Sequence, residues 1–346
     1  MTAEVRRHHW LITAAALVVV IAGVQAAATI LVPMLLSVFI AIICWPLVEW
    51  LYRHKIPGWL AILLVVIGLL VLMTGVGLFV GKSIDSFIGN LPNYQNRLQA
   101  NMAGLFAWLS ERGFDLSRER FNEFLNPGRL MQWAGTMVTA LTGAFANTAL
   151  ILFYVTFMFL EAFILPTKLQ LVFGDSKMAL RFELFFANLR RYLRLKTLIS
   201  LLTGATVTLW LTFLEVDYPI LWGALAFVLN FIPNIGSFIA AAPAILLALV
   251  QFGPGVAFYT AMGYLVINTL IGGILDPRIV GIGLGLSTLV VFLSLIFWGW
   301  ILGPVGMFLS VPLTVIFKMF LEDNPGTRWI AVLLGDVRGI SLAEKE

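Results

Sequence analysis

The sequence predicts an all-α, polytopic helical membrane protein of about eight spans, with Pro/Gly-broken or re-entrant helices in its C-terminal half. Three observations carry that expectation. Of the 346 residues, 60% are hydrophobic and 12% charged, against roughly 45–50% and about 25% in soluble domains. Uncharged runs of about 20 residues follow one another, the length a helix needs to cross the hydrocarbon core of a bilayer. Within those runs the apolar residues are continuous rather than alternating, which disfavours a membrane β-barrel.

The same composition narrows the chemistry. Cys44 is the single cysteine and lies in an apolar span, so no disulfide forms within the chain. It reads as a small buried hydrophobe. His8, His9 and His54 sit at or near span ends, which leaves almost no material for a metal cluster or an intramembrane base. No metal, no cofactor and no enzyme chemistry are expected. Serine catalysis would lack its partner base, and paired intramembrane aspartates are missing. The net charge is only +4, so the placement of charge matters more than its sum.

Residues 1–81 read as three N-terminal spans: 10–32, 33–52 with a turn at Pro33, and 59–81 after "RHKIPG". The opening also has the basic, apolar and small-residue order of a signal peptide, but apolar character continues past Ala28. Segment 82–143 differs. It holds eleven charged residues, and Leu98, Met102, Leu105, Phe106 and Leu109 recur at helical spacing. It reads as an extracytoplasmic amphipathic helical segment, with a break at "NPGRL".

A fourth span follows at 144–165, with Glu161 near its end, where a carboxylate reaches the headgroups. Segment 166–196 reads as a basic amphipathic helix at the cytoplasmic surface. Met178, Phe182, Phe185, Phe186, Leu189 and Leu193 share one face; Lys177, Arg181, Arg190, Arg191 and Arg194 fall outside that arc, whereas Lys196 does not. Such a helix is drawn to anionic lipid, and its apolar face makes nucleic acid a poor partner. The basic loops place the N-terminus and the tail, 322–346, on the cytoplasmic side of the membrane.

Segment 197–321 reads as a transport core. A fifth span, about 197–214, leads to "EVDYP", after which simple span counting falters. No charged residue occurs from Tyr218 to Leu275, yet 218–252 is too long for one ordinary span and too short for two. Segment 279–321 poses the same problem. Each is either one long tilted span or a hairpin of two short helices.

The two segments echo one another: "WGALAFVLNFIPNIGSFIAAAPAILL" and "WGWILGPVGMFLSVPLTVIF". Each has Trp-Gly, a Pro followed within three residues by Gly, and then a second Pro. A proline inside a helix costs roughly 3 kcal/mol, and an unpartnered peptide group in hydrocarbon costs several more. Such breaks persist where protein or a wet cavity satisfies the freed carbonyls, and paired broken segments point to a transporter's substrate path. The alternative is a kink that only fits helices together. The candidate path residues are Asn230, Pro233, Asn234, Gly236, Pro243, Asn268, Pro304, Gly306 and Pro312. Asp276 and Arg278, flanking Pro277, are candidates for gating or an ion pair, because buried charges must be satisfied. The glycines of "VGIGLGLST" make a flexible connection and lack the context of a phosphate loop.

The stretches "FIPNIGSFIAA", "ILDPRIVG" and "GLSTLVVFLSLIFWGWILGPVGMFLSVPL", with the span outline, closely resemble the autoinducer-2 exporter family of bacterial inner-membrane proteins. The resemblance is strongest from about Asn230 to Phe320. It implies export of the small polar quorum-sensing signal autoinducer-2, as in some members, and a homo-oligomer, with a pentamer favoured. Other members look like sodium/proton antiporters. Many members carry an asparagine where this chain has Gly273, a departure that puts a polar contact there in doubt. The expected function is therefore a secondary transporter exporting an autoinducer-2-like solute, with membrane lipid as its surroundings. A sodium/proton antiporter using Asp276, Glu161 or Glu49 is the runner-up, and a non-transporting scaffold is a third reading.

Overall fold

The computed structural model describes residues 15–16, 18–111, 129, 132–136, 139, 148–173, 177–233, 235–276, 285–323 and 326–335. Every element among them is helical: α1 (Ala28–Arg53), α2 (Gly58–Glu111), α3 (Thr148–Phe173), α4 (Lys177–Phe213), α5 (Pro219–Leu229), α6 (Gly236–Phe252), α7 (Pro254–Ile267), a π-helix (Asn268–Leu275), α8 (Thr288–Asp323) and α9 (Arg328–Leu334). Among the described residues six helices are long and apolar enough to cross a membrane, and α5 and α6 are shorter apolar helices. This is the polytopic helical membrane protein that the composition predicts.

Several expected boundaries shift. The turn expected at Pro33 does not form: α1 runs through Pro33 and Pro46, and the local turn lies earlier, at Ala27. Ser37 helps hold the helix there, its hydroxyl donating to the Pro33 carbonyl at 2.6 Å and lying 3.1 Å from the Ile151 carbonyl of α3. Helix α2 continues unbroken from Gly58 to Glu111, about 80 Å, so the first part of segment 82–143 extends the helix of the span before it. Likewise the basic stretch from Lys177 and the span after it form one helix, α4. Apolar periodicity changes along both helices, but no residue in either stops the backbone.

The described residues fall into two compact units. One comprises Met1–Val66, Ala149–Arg190 and Gly283–Glu346. In it Phe39 of α1 meets Phe308 of α8 edge-on with ring centroids 5.0 Å apart, and Trp45 meets Phe163 of α3 in the same manner. Its helix α8 is not straight. Gly303 has φ 67° and ψ −152°, which folds the chain back. The proof is a hydrogen bond from Trp298 Nε1 to Thr314 Oγ1 at 3.0 Å. In a straight helix those residues would stand about 24 Å apart. By length alone α8 would count as a span; its backbone makes it a hairpin with arms 288–302 and 304–323.

The second unit comprises Ile67–Thr148 and Arg191–Ile282. Its core joins Ile84 and Phe87 of α2 to Leu221 and Trp222 of α5, all essentially buried. Phe87 meets Trp222 edge-on at 5.4 Å. The link before α5 is pinned by Asp217, which accepts from the Tyr94 hydroxyl at 2.8 Å and from Trp222 Nε1 at 2.9 Å. Pro219 and Pro254 open α5 and α7 at the position where a missing N–H costs nothing. Helices α5 and α6 form the other hairpin, reversing over 230–235.

Candidate functional site

One face of α4 organises the second unit. Leu193, Lys196, Ile199, Ser200, Thr203, Gly204, Val207 and Leu211 are all buried, at the three-to-four-residue spacing of a helix stripe. Three of them are polar, which is costly in a chain suited to lipid unless each finds a partner. Lys196 finds Asp276: Nζ and Oδ2 are 2.6 Å apart, with side-chain exposures of only 7% and 20%. Ser200 accepts a hydrogen bond from Asn230 Nδ2 at 3.0 Å, with both residues buried. Thr203 donates to the Ile199 carbonyl of its own helix.

Higher on the same stripe α4 and α5 approach closely. A Cβ at Gly204 would stand 2.7 Å from the Gly223 carbonyl, and a Cβ at Gly223 would overlap Thr208 Oγ1. This is the small-residue packing that lets helix backbones touch in lipid. A single face of α4 thus meets the first hairpin arm through glycines, the hairpin turn through Ser200, and the end of the π-helix through Lys196. A π-helix strains its hydrogen-bond ladder and is found preferentially at functional positions. Here it runs from Asn268 to Leu275, and Asp276 caps it.

The residues singled out by sequence are spread over both units. Asn230 caps α5 and reaches α4. Pro233 lies in the turn, its carbonyl accepting from Ile235 N at 2.7 Å. Gly236 opens α6, where a Cβ would overlap the Leu229 carbonyl oxygen. Pro243 is buried inside α6. Asn268 is half-buried at the start of the π-helix. Pro304, Gly306 and Pro312 belong to α8 in the other unit: Pro304 is exposed beside Gly303, whereas Gly306 and Pro312 are buried. Asn234 and Arg278 lie outside the described residues.

Of the two charges flanking Pro277, Asp276 pairs with Lys196, eighty residues earlier. Lys196 falls inside the apolar arc of its helix, and that position is its signal in the sequence. A lone cation on a buried face needs a counter-charge. Ser200 and Gly204 carry no sequence signal of their own, and Gly223 stands out only as part of the repeated Trp-Gly. The other carboxylates with a claim to ion coupling sit at the surface: Glu49 pairs with Arg53 and Glu161 with Lys168, each at 2.6 Å and well exposed.

Comparison with known proteins gives this geometry a context. A family model described as AI-2E family transporter matches residues 14–326. The Escherichia coli strain K12 protein named AI-2 transport protein TqsA is 41% identical over 322 residues, covering 93% of this chain and 94% of its own. A Haemophilus influenzae protein named as a candidate transport protein is 41% identical over 338 residues, covering 95% and 97%. A Bacillus subtilis protein, YrrI, named in the same way, is 26% identical over 311 residues, covering 85% and 86%.

Proposed function

The chain belongs to the AI-2E family of transporters, and from that premise we propose that it exports a small polar signalling molecule of the autoinducer-2 type across the bacterial inner membrane. The observation that carries the reading is the buried polar stripe of α4, where Lys196 and Ser200 meet the π-helix end and the turn of the broken hairpin. A chain suited to lipid does not bury such groups without a use or a compensating partner. The name of TqsA supports the substrate class. Freed carbonyls and the remaining amide groups of Asn230 suit a neutral, hydroxyl-bearing solute better than a fixed charge would. Cytoplasmic N- and C-termini, a quorum-sensing role and a homo-oligomer, pentameric by family resemblance, complete the proposal.

Flux of autoinducer-2 from membrane vesicles tests it. Asn230→Leu and Asn234→Leu are expected to lower the rate roughly five- to tenfold, the equivalent of one lost hydrogen bond of about 1–1.4 kcal/mol. Parental flux at parental protein level in both variants would remove these residues from the path.

A second reading, a sodium/proton antiporter, is favoured by the partial burial of Asp276, since coupling needs an ionisable group within the protein. Proteoliposome flux that responds to neither sodium nor pH, and is unaltered in Asp276→Asn, would exclude it.

A further inference from the structure

We infer that Trp210, Thr260 and Tyr264 form a binding site for one small uncharged solute bearing hydroxyl or carbonyl groups, a site that rests on, and would sit within, the transport reading above. The starting point is a set of unused hydrogen-bonding atoms. Among the described residues Trp210 Nε1, Thr260 Oγ1, Tyr264 Oη and Ser310 Oγ are buried without a hydrogen-bond partner. Three of these four belong to one helix contact in the second unit. Buried polar groups are normally partnered, so three orphans in one place call for an explanation.

They converge. Thr260 and Tyr264 are one turn apart on the buried face of α7, only 0% and 3% exposed. Gly263 lies between them, and a Cβ there would overlap the Trp210 indole nitrogen. The glycine therefore lets the indole N–H of α4 rest on the same turn of α7 that carries both hydroxyls. Thr260 is also unlike its peers. Thr203, Thr208, Thr212 and Thr314 each donate to the carbonyl four residues earlier in their own helix. That is the ordinary resting place of a helical threonine in an apolar setting. The Thr260 hydroxyl does not take it.

Together α4 and α7 supply one fixed donor and two hydroxyls that donate or accept. None of the three groups is charged. This inventory matches a neutral polyol or hydroxyketone and gives a small ion no counter-charge.

Purified full-length protein in liposomes tests the inference through Thr260→Val and Tyr264→Phe, both nearly isosteric. If the hydroxyls serve a solute, each change lowers autoinducer-2 flux about tenfold while Tm in detergent stays level or rises, because an unpartnered buried group has been removed. Parental flux in both variants overturns the inference and leaves the transport reading intact. A lowered Tm overturns it too, since the hydroxyls would then be holding the fold. If the parent itself carries no autoinducer-2, that substrate reading fails, and millimolar erythritol decides the site. A Tm rise in the parent that both variants lose upholds it; no rise, or an equal rise in the variants, overturns it.

Discussion

In the α5–α6 hairpin the chain takes six residues, 230–235, to reverse, whereas in α8 it takes one, Gly303. The two segments share their sequence punctuation, yet their turns obey different physics. Gly303 adopts φ 67° with ψ −152°, a backbone state essentially confined to glycine. A single residue can then reverse the chain, and the arms close on one another through Trp298 and Thr314. Among the described residues of the first turn none has positive φ. Its reversal consumes more backbone, and its buried polar side chain, Asn230, bonds to Ser200 of α4. One hairpin ties its arms together through Trp298 and Thr314; the other ties its turn to a neighbouring helix. The same Pro-Gly echo thus marks a self-contained fold-back in one place and a polar junction in the other.

What the hairpins do share is a glycine against a carbonyl. A Cβ at Gly236 would overlap the Leu229 oxygen, and a Cβ at Gly306 the Trp298 oxygen. Gly236→Ala and Gly306→Ala are therefore expected to have the largest effect, each costing on the order of 3 kcal/mol because backbone must move. Loss of the monodisperse peak in detergent chromatography would register it. A variant that stays monodisperse with parental Tm would break the common element of the comparison.

The polar junction is sharpened next. Lys196→Ala strands the Asp276 carboxylate and is expected to cost about 3 kcal/mol. Lys196→Met combined with Asp276→Leu should recover most of that, since an apolar pair of similar size replaces a buried ion pair at little or no cost. Tm of the single and double variants reads the difference directly. Equal losses in both would mean that the two side chains act independently. The smallest expected effect separates the turns themselves. Gly303→Ala should cost about 1–3 kcal/mol, because its backbone state is essentially confined to glycine, whereas Pro233→Ala, in a turn without such strain, should cost less than about 1 kcal/mol. A reversed order in thermal denaturation would show that the longer turn is the stiffer one.

Much of the candidate site is legible in the residues themselves. Asn230, Pro233, Gly236 and Pro243 stand out because each is expensive in a lipid-spanning stretch, and the fold places all four in one hairpin. Lys196 announces itself only as a cation on the wrong face of its helix. Trp210, Thr260 and Tyr264 announce nothing, because a lone Trp, Thr or Tyr is ordinary in a membrane helix. Their distinction is the absence of a partner, which no local pattern encodes.

Composition and the lengths of uncharged runs by themselves determined a helical membrane protein, since hydrocarbon tolerates only backbones that satisfy their own peptide groups. Local punctuation by Pro and Gly marked two places where helices break, at 230–235 and at Gly303, although other prolines lie inside unbroken helices. Tertiary structure alone decided that both broken segments fold back, that Asp276 answers to Lys196, and that α2 and α4 run on past their apolar stretches. Those outcomes depend on which distant groups meet, and a charge or an unpaired carbonyl states its need for a partner without stating where along the chain that partner lies.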